Sequence, residues 1–186
     1  MIDDIIIVQP AFKEAGFFVA KEIIAYAQAR RLTNFFGGSL ANQQQGLVAM
    51  IMVSMELYRL GKDHMFDASV GRTAHYDLLI GESKFEVKSG CAKDPIDAAV
   101  SSPNFTAQVP KVQFDAGRGR GVYGYIFPII NRDFTQCIVT GWIESQYIVV
   151  DEYGNARHVR DWQDTQGRAQ QSYMIPFNDL KDMAEI

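Results

Sequence analysis

Three ionic side chains, Asp77, Glu86 and Lys88, fall inside the short apolar stretch AHYDLLIGESKFEVKSG (74–90). If YDLLI and FEVKS pair as antiparallel strands around a GESK turn, Ile80 faces Phe85 and Asp77 faces Lys88. Side chains alternate between the two faces of a strand, so Asp77, Leu79, Glu86 and Lys88 share one face. Tyr76, Leu78, Ile80, Phe85 and Val87 take the other, which is free to pack on helices. In this register Asp77 and Glu86 are diagonal neighbours, roughly 7–8 Å apart at the backbone. Two carboxylates so placed can converge on one divalent cation. A hard cation such as Mg²⁺, with Mn²⁺ as substitute, takes oxygen ligands and keeps several waters. Asp77, Glu86 and the Val87 backbone carbonyl would supply the protein's share. The ion would polarise a phosphoryl oxygen and acidify a bound water, and Lys88 would stabilise the negative charge that builds during attack. The same charges also fit a solvated strand face, with Asp77 and Lys88 as a cross-strand ion pair.

The elements that must hold these residues follow from hydropathy patterning. The stretch 11–31 has apolar residues Phe17, Phe18, Ile23, Ile24 and Ala27 near helical spacing. A polar loop is expected over 32–45, and a second helix over 46–61, ending at Gly61 and apolar on more than one face. The period then changes. Segments 62–69, 74–80 and 84–89 read as short strands punctuated by glycines. A short helix is expected over 94–100, with Asp94 as N-cap and Pro95 in its first turn. No element is assigned to 101–114. Later strands are expected at GVYGYIFPII, TQCIVTGWI and QYIVVDEYG, a polar surface loop over 151–171, and a closing strand and helical turn in SYMIPFNDLKDM. Helices, then strands, then mixed elements imply an α/β fold with a central mixed sheet flanked by helices, as a single domain over 1–186.

Bulk properties narrow the function classes. The 186-residue chain carries 18 basic and 22 acidic residues, a net charge of −4. A polyanion would need a local basic surface or a bridging metal. No apolar run approaches the ~20 residues of a membrane span, and the start MIDDIIIVQP fits no targeting signal. Cys91 and Cys137 are expected to be free, partly buried thiols, and His64, His75 and His158 offer no zinc spacing. A cytoplasmic protein without a membrane partner is the expectation. No Ser/His/Asp or Cys/His arrangement emerges from spacing.

YDLLI followed by FEVKSG resembles the core motif of the PD-(D/E)XK nuclease superfamily, in the style of Holliday-junction resolvases and phage or restriction-type endonucleases. The resemblance covers about 43–90 and implies a restriction-endonuclease-like core. It implies Asp77 and Glu86 as metal ligands, Lys88 as the catalytic lysine, DNA as substrate, and a homodimer. Many members add a glutamate near the start of the first core helix, where this chain reads NQQQGLVAM. That zone holds Gln43, Gln44 and Gln45 and no acid, with Gln45 and Glu56 as the candidates on one helical face. Glu56 is eleven residues on from Gln45, about 16 Å at 1.5 Å per residue. The departure leaves a non-cleaving module that binds nucleic acid or assembles with it as the alternative expectation.

Other polar residues extend the list. DAGRGRGVYGY sets Arg118 and Arg120 among glycines, where they would grip phosphates or simply sit in a turn. Lys111 and Gln113 are candidates to line the cleft. Arg157 and Arg160 are expected in a solvated loop. Lys84 reads as a turn residue, Trp142 as core, and Trp162 as a residue able to stack on bases.

Overall fold

A computed structural model describes residues 5–29, 40–66, 76–93, 95–102, 105–163 and 167–186; within the first helix the side chains at 23, 24 and 26–29 are outside that description. The expected strand segments at 67–75, the Asp94 cap and most of the first loop therefore lie outside the described residues.

The fold is built around the strand β7 (Gly124–Asn131), whose 8 residues GYIFPIIN are all buried. A strand covered on both faces reads as a nearly continuous apolar run. Its neighbours form a seven-stranded mixed sheet in the order β1-β8-β7-β4-β3-β2, with β5 also pairing with β7. The strands are β1 (Ile6–Ile7), β2 (His64–Phe66), β3 (Leu78–Ile80), β4 (Ser83–Val87), β5 (Gly90–Ala92) and β8 (Gln136–Glu144). β4 and β5 run parallel to β7, and β8 antiparallel. A second, three-stranded antiparallel sheet has the order β6-β10-β9: β6 (Thr106–Pro110), β10 (Ala169–Pro176) and β9 (Val159–Gln163).

Alternation along β7 divides the core. Ile126 and Ile130 face the helix α2 (Leu40–Arg59), which buries Val48, Ala49, Met52, Val53 and Leu57 against Leu78, Phe85 and Val87. Tyr125 and Phe127 face the other way, onto Ala107, Val109, Tyr173 and Ile175 of the second sheet and Phe114 of α4 (Lys111–Gly119). Ile129 meets Ile96 and Val100 of α3 (Ile96–Val100). The helix α1 (Pro10–Ala29) lies against α2 closely enough that a Cβ at Gly16 would meet Val48 Cγ2 at 2.7 Å. The α/β class with a mixed sheet flanked by helices is thus the observed one. No helix of the described residues is long and apolar enough to cross a membrane.

Several elements differ from expectation. α2 begins at Leu40, because the glutamines that look like loop are good helix formers. It buries one stripe only, leaving Tyr58 83% exposed. The unassigned 101–114 contains β6 and the start of α4, with Pro110 at the N-cap position of that helix. QYIVVDEYG is a 3₁₀ turn and loop, not a strand, although Ile148 is buried. The polar 151–171 contains β9, every residue of which is exposed, and the start of β10. Cys91 is exposed, whereas Cys137 is fully buried and burial pushes its thiol up to about 12.

The C-terminal segment closes the fold against β8. Trp142 and Lys181 exchange backbone hydrogen bonds at 3.1 and 2.8 Å, and Trp142 Nε1 donates to Asp182 O at 3.0 Å. Gly141 permits the approach: its φ is +133°, and a Cβ there would lie 2.5 Å from Lys181 O. Both the backbone conformation and the contact exclude a side chain. Gly141→Ala is expected to destabilise the fold by about 2–4 kcal/mol in urea unfolding; an unchanged midpoint would contradict this docking. Tyr125 makes the opposite case. Its buried hydroxyl has no hydrogen-bond partner among the described residues, and burial, followed by the nearby Glu86 charge, holds its ionisation well above the usual phenol range. Removing an orphaned polar atom costs little, so Tyr125→Phe is expected to leave stability unchanged or raise it by about 1 kcal/mol. A large loss would reveal a partner for that hydroxyl.

Candidate active site

The β3–β4 hairpin is tighter than the sequence implies. Gly81 and Glu82 alone form its turn, with Gly81 at φ +59°, the positive φ that two-residue hairpin turns require of their first central residue. Ile80 therefore pairs with Ser83, not Phe85, and Leu78 pairs with Phe85. The register moves by two residues, so each side chain keeps its face while its partner changes. Continuing the ladder would set Asp77 opposite Glu86 rather than opposite Lys88.

The ladder does not continue regularly. The Asp77 amide donates to Phe85 O at 2.9 Å, and Asp77 Oδ2 accepts from the Val87 amide at 2.7 Å. A carboxylate thus replaces a backbone acceptor where β3 gives out. Ionised acceptors make the stronger hydrogen bonds, and a carboxylate offers about four lone-pair sites, so this bond does not exhaust it. The Val87 carbonyl lies on the same side as its amide, as both do in any strand residue. The Val87 side chain is buried under α2.

On the other edge of β4, Lys88 N donates to Ile126 O at 2.9 Å. In a parallel ladder the amide two residues further along β7 would next donate to the Lys88 carbonyl. That residue is Pro128, which has no N–H. β4 ends at Val87 and pairing with β7 resumes only at Gly90. Lys88 and Ser89 occupy the gap. Gln45 Nε2 spans it from α2, donating to Ser89 O and Oγ, both at 3.2 Å.

Lys88 Nζ donates to Glu86 Oε2 at 2.5 Å, with both side chains about one-sixth exposed (16% and 15%). The solvated-face reading of the sequence pairs Asp77 with Lys88 across the strands; in the structure Lys88, just past the end of β4, pairs with Glu86 two residues before it. Asp77, Val87, Lys88 and Ser89 line one side of a cleft of about 600 Å³, together with Asn42, Gln43 and Gln45 from the first turns of α2. Gln108, Pro110, Gln113, Trp162 and Ser172 form the facing wall. Among the described residues no group of three or more His, Cys, Asp or Glu side chains is gathered to hold a metal; Asp77 is the acid in the cleft lining, whereas Glu86 does not line it and is joined to it through its pair with Lys88.

Several candidates stand elsewhere. Glu56 is buried and held by Arg59 at 2.9 Å (Nε) and 2.5 Å (Nη2), outside the cleft lining. Arg118 and Arg120 are not in a glycine loop: residues 111–119 are helical, and both are exposed at the end of α4, away from the cleft lining. Arg118 stacks over Phe114, 5.9 Å from the ring centroid. Lys111 pairs with Asp115 at 3.1 Å across one helical turn, and that hydrogen bond raises its ammonium pKa. Only Gln113 of that group reaches the cleft. Arg157 is tied to Asp179. Lys84 lies in β4 and reaches Arg120 O at 3.3 Å. Trp142 is in the core, 4% exposed.

Two features went unseen in the sequence. One is the pair of strands β6 and β9 in the facing wall, which lack a strong hydropathy signal, although Gln113 and Trp162 of that wall are candidates by residue type. The other is a contact between Ser54 Oγ and His64 Nε2 at 2.5 Å, with His64 Nδ1 2.9 Å from Lys62 O. It ties β2 to α2, and neither residue lines the cleft.

No protein-family model matches the chain, and neither a curated protein nor a solved structure matches it.

The Asp77–Val87 bond makes a stability forecast. Asp77→Ala orphans the Val87 amide and is expected to cost about 1–3 kcal/mol, whereas Asp77→Asn keeps an acceptor oxygen and should cost distinctly less. Chemical denaturation of both variants checks this; equal losses would mean the hydrogen bond does not organise the hairpin end.

Proposed function

We propose that the protein is a divalent-metal-dependent endonuclease that hydrolyses phosphodiester bonds in DNA, on a core of the PD-(D/E)XK, restriction-endonuclease-like kind. The observation that carries this reading is that Asp77 and Lys88 line one open cleft where β4 ends, and that Lys88 is ion-paired with Glu86. Lone surface charges would be solvated and scattered. Here the lysine and one acid are largely buried together, and the other acid is fixed by a backbone amide.

The donor set suits a hard cation. Asp77, Glu86 and the Val87 carbonyl are oxygen ligands, too few for a closed protein cage and compatible with an ion that keeps its waters. Mg²⁺, or Mn²⁺ in its place, would polarise a phosphoryl oxygen and acidify water. The chain's own residues do the rest. Asp77 and Glu86 concentrate negative charge at one end of β4. Lys88 offsets the Glu86 charge and stands ready to stabilise an anionic phosphate as it forms. Gln45 fixes the Ser89 segment that carries Lys88. The reading includes a cytoplasmic setting, in which both thiols stay reduced, and a dimer as the working form.

A second reading, a non-cleaving nucleic-acid-binding or assembly module, is favoured by one feature. The start of α2 presents Asn42, Gln43 and Gln45 to the cleft in place of an acid. Plasmid, linear and branched DNA incubated with Mg²⁺, Mn²⁺ or EDTA separates the two. Cleavage that needs the metal and falls about 100-fold or more in Lys88→Ala and Asp77→Ala supports the enzyme. Retained binding without any cutting supports the second reading.

A further inference from the structure

The wall facing Lys88 has a composition that phosphate binding alone does not require. In the second sheet Ala107, Val109, Tyr173 and Ile175 point into the core. Gln108, Pro110, Ser172, Arg160 and Trp162 alternate with them or with their neighbours and front the cavities. Trp162 is 38% exposed on the exposed strand β9. Its ring is nonetheless held in place, because Nε1 donates to Ser172 Oγ at 2.9 Å, and Ser172 is buried. An indole left partly in water but fixed by a buried hydroxyl is a preorganised flat surface. Around it the cleft offers amides, Gln108 and Gln113 on the same wall and Gln45 opposite. Amides pair with the donor and acceptor edges of bases.

Arg160 stands on the same strand face as Trp162, two residues back, about 7 Å along the strand. It lines a second cavity of about 400 Å³ that shares Lys88, Ser89 and Gln108 with the first. The two cavities adjoin at these shared residues and together make one groove, with Trp162 lining the first cavity and Arg160 the second.

We infer that this groove takes an unpaired stretch of DNA, with one nucleobase stacked on Trp162, its edge met by the cleft amides, and the adjoining phosphate held by Arg160. The inference rests on the nuclease reading for the identity of the polymer and adds its strandedness. A base within a duplex has both faces covered by its neighbours, so only an unstacked base can lie on an indole. The chain's net charge of −4 also offers little of the sequence-independent attraction by which proteins track a duplex backbone. Stacking and edge contacts supply affinity that charge does not.

The test is a fluorescence titration of the full chain in EDTA, with a mixed-sequence single-stranded oligonucleotide and with the duplex of the same sequence. Trp162 is the exposed indole and Trp142 the buried one, so stacking should quench emission. Saturable quenching is expected, with single strands bound at least about tenfold more tightly than duplex. Trp162→Ala should weaken single-strand binding about tenfold or more, Trp162→Phe should retain most of it, and Arg160→Ala should flatten the salt dependence. Circular dichroism of each variant confirms the fold. Equal binding by Trp162→Ala and the parent, tighter binding of duplex, or no binding of single strands overturns the inference. Metal-dependent cleavage is assayed separately. Cutting that ignores Trp162→Ala keeps the nuclease reading and removes this one, whereas quenching and binding without cutting do the reverse.

Discussion

The burial of β7 on both faces is the constraint from which the rest of the structure follows. A strand with no solvated side must have apolar material above and below it and hydrogen-bonding partners on both edges. The first demand recruits α2 on one side and α4, α3 and the small sheet on the other. The second recruits β8 along one edge and β4 with β5 along the other. The candidate site is a by-product of the second demand. Pro128 cannot donate, so the β4 edge opens for two residues, and the polar segment Lys88–Ser89 occupies the opening. A fully regular ladder would have carried Lys88 through as one more strand residue.

The site also joins two kinds of support. Asp77 is held by a backbone amide, which is a directional bond. Lys88 and Glu86 hold each other by charge, in surroundings dry enough that screening by water is weakened. These supports are not equivalent. The first fixes an oxygen whether or not a ligand is present. The second is an exchangeable partnership, since a cation approaching Glu86 competes with the Lys88 ammonium. A cation that reached Glu86 would therefore leave the Lys88 ammonium without its counterion.

What the sequence revealed, and what it hid, divides along physical lines. Face assignment in the hairpin was legible, because a turn of two residues and a turn of four leave the same side chains on the same face. The pairing itself was not, since it depends on whether Gly81 adopts positive φ, which composition permits but does not dictate. β7 was legible from its unbroken apolar run, as were β8 and the body of α2. The start of α2 was hidden by glutamines, which serve helix and loop alike. α4 was hidden by Gly117 and Gly119, yet Gly117 is there because Tyr125 leaves no room, a Cβ falling 2.8 Å from its hydroxyl. The strand β9 shows no burial period: all five of its residues are exposed, and it is held by pairing and side-chain hydrogen bonds to β10 rather than by an apolar face. That is why the strand that carries Trp162 was not legible, although residue type marks both Trp162 and Gln113 as candidates.

The missing amide at Pro128 has a mechanical consequence. A backbone segment released from its neighbour on one edge can shift along the sheet normal without tearing the ladder on either side. Lys88 and Ser89 thus form a short compliant link between two stiff stretches, tethered across the gap by the Gln45 amide. A displacement of that link by fractions of an ångström would leave the buried sheet in place, which puts compliance at the rim of the cleft and rigidity behind it.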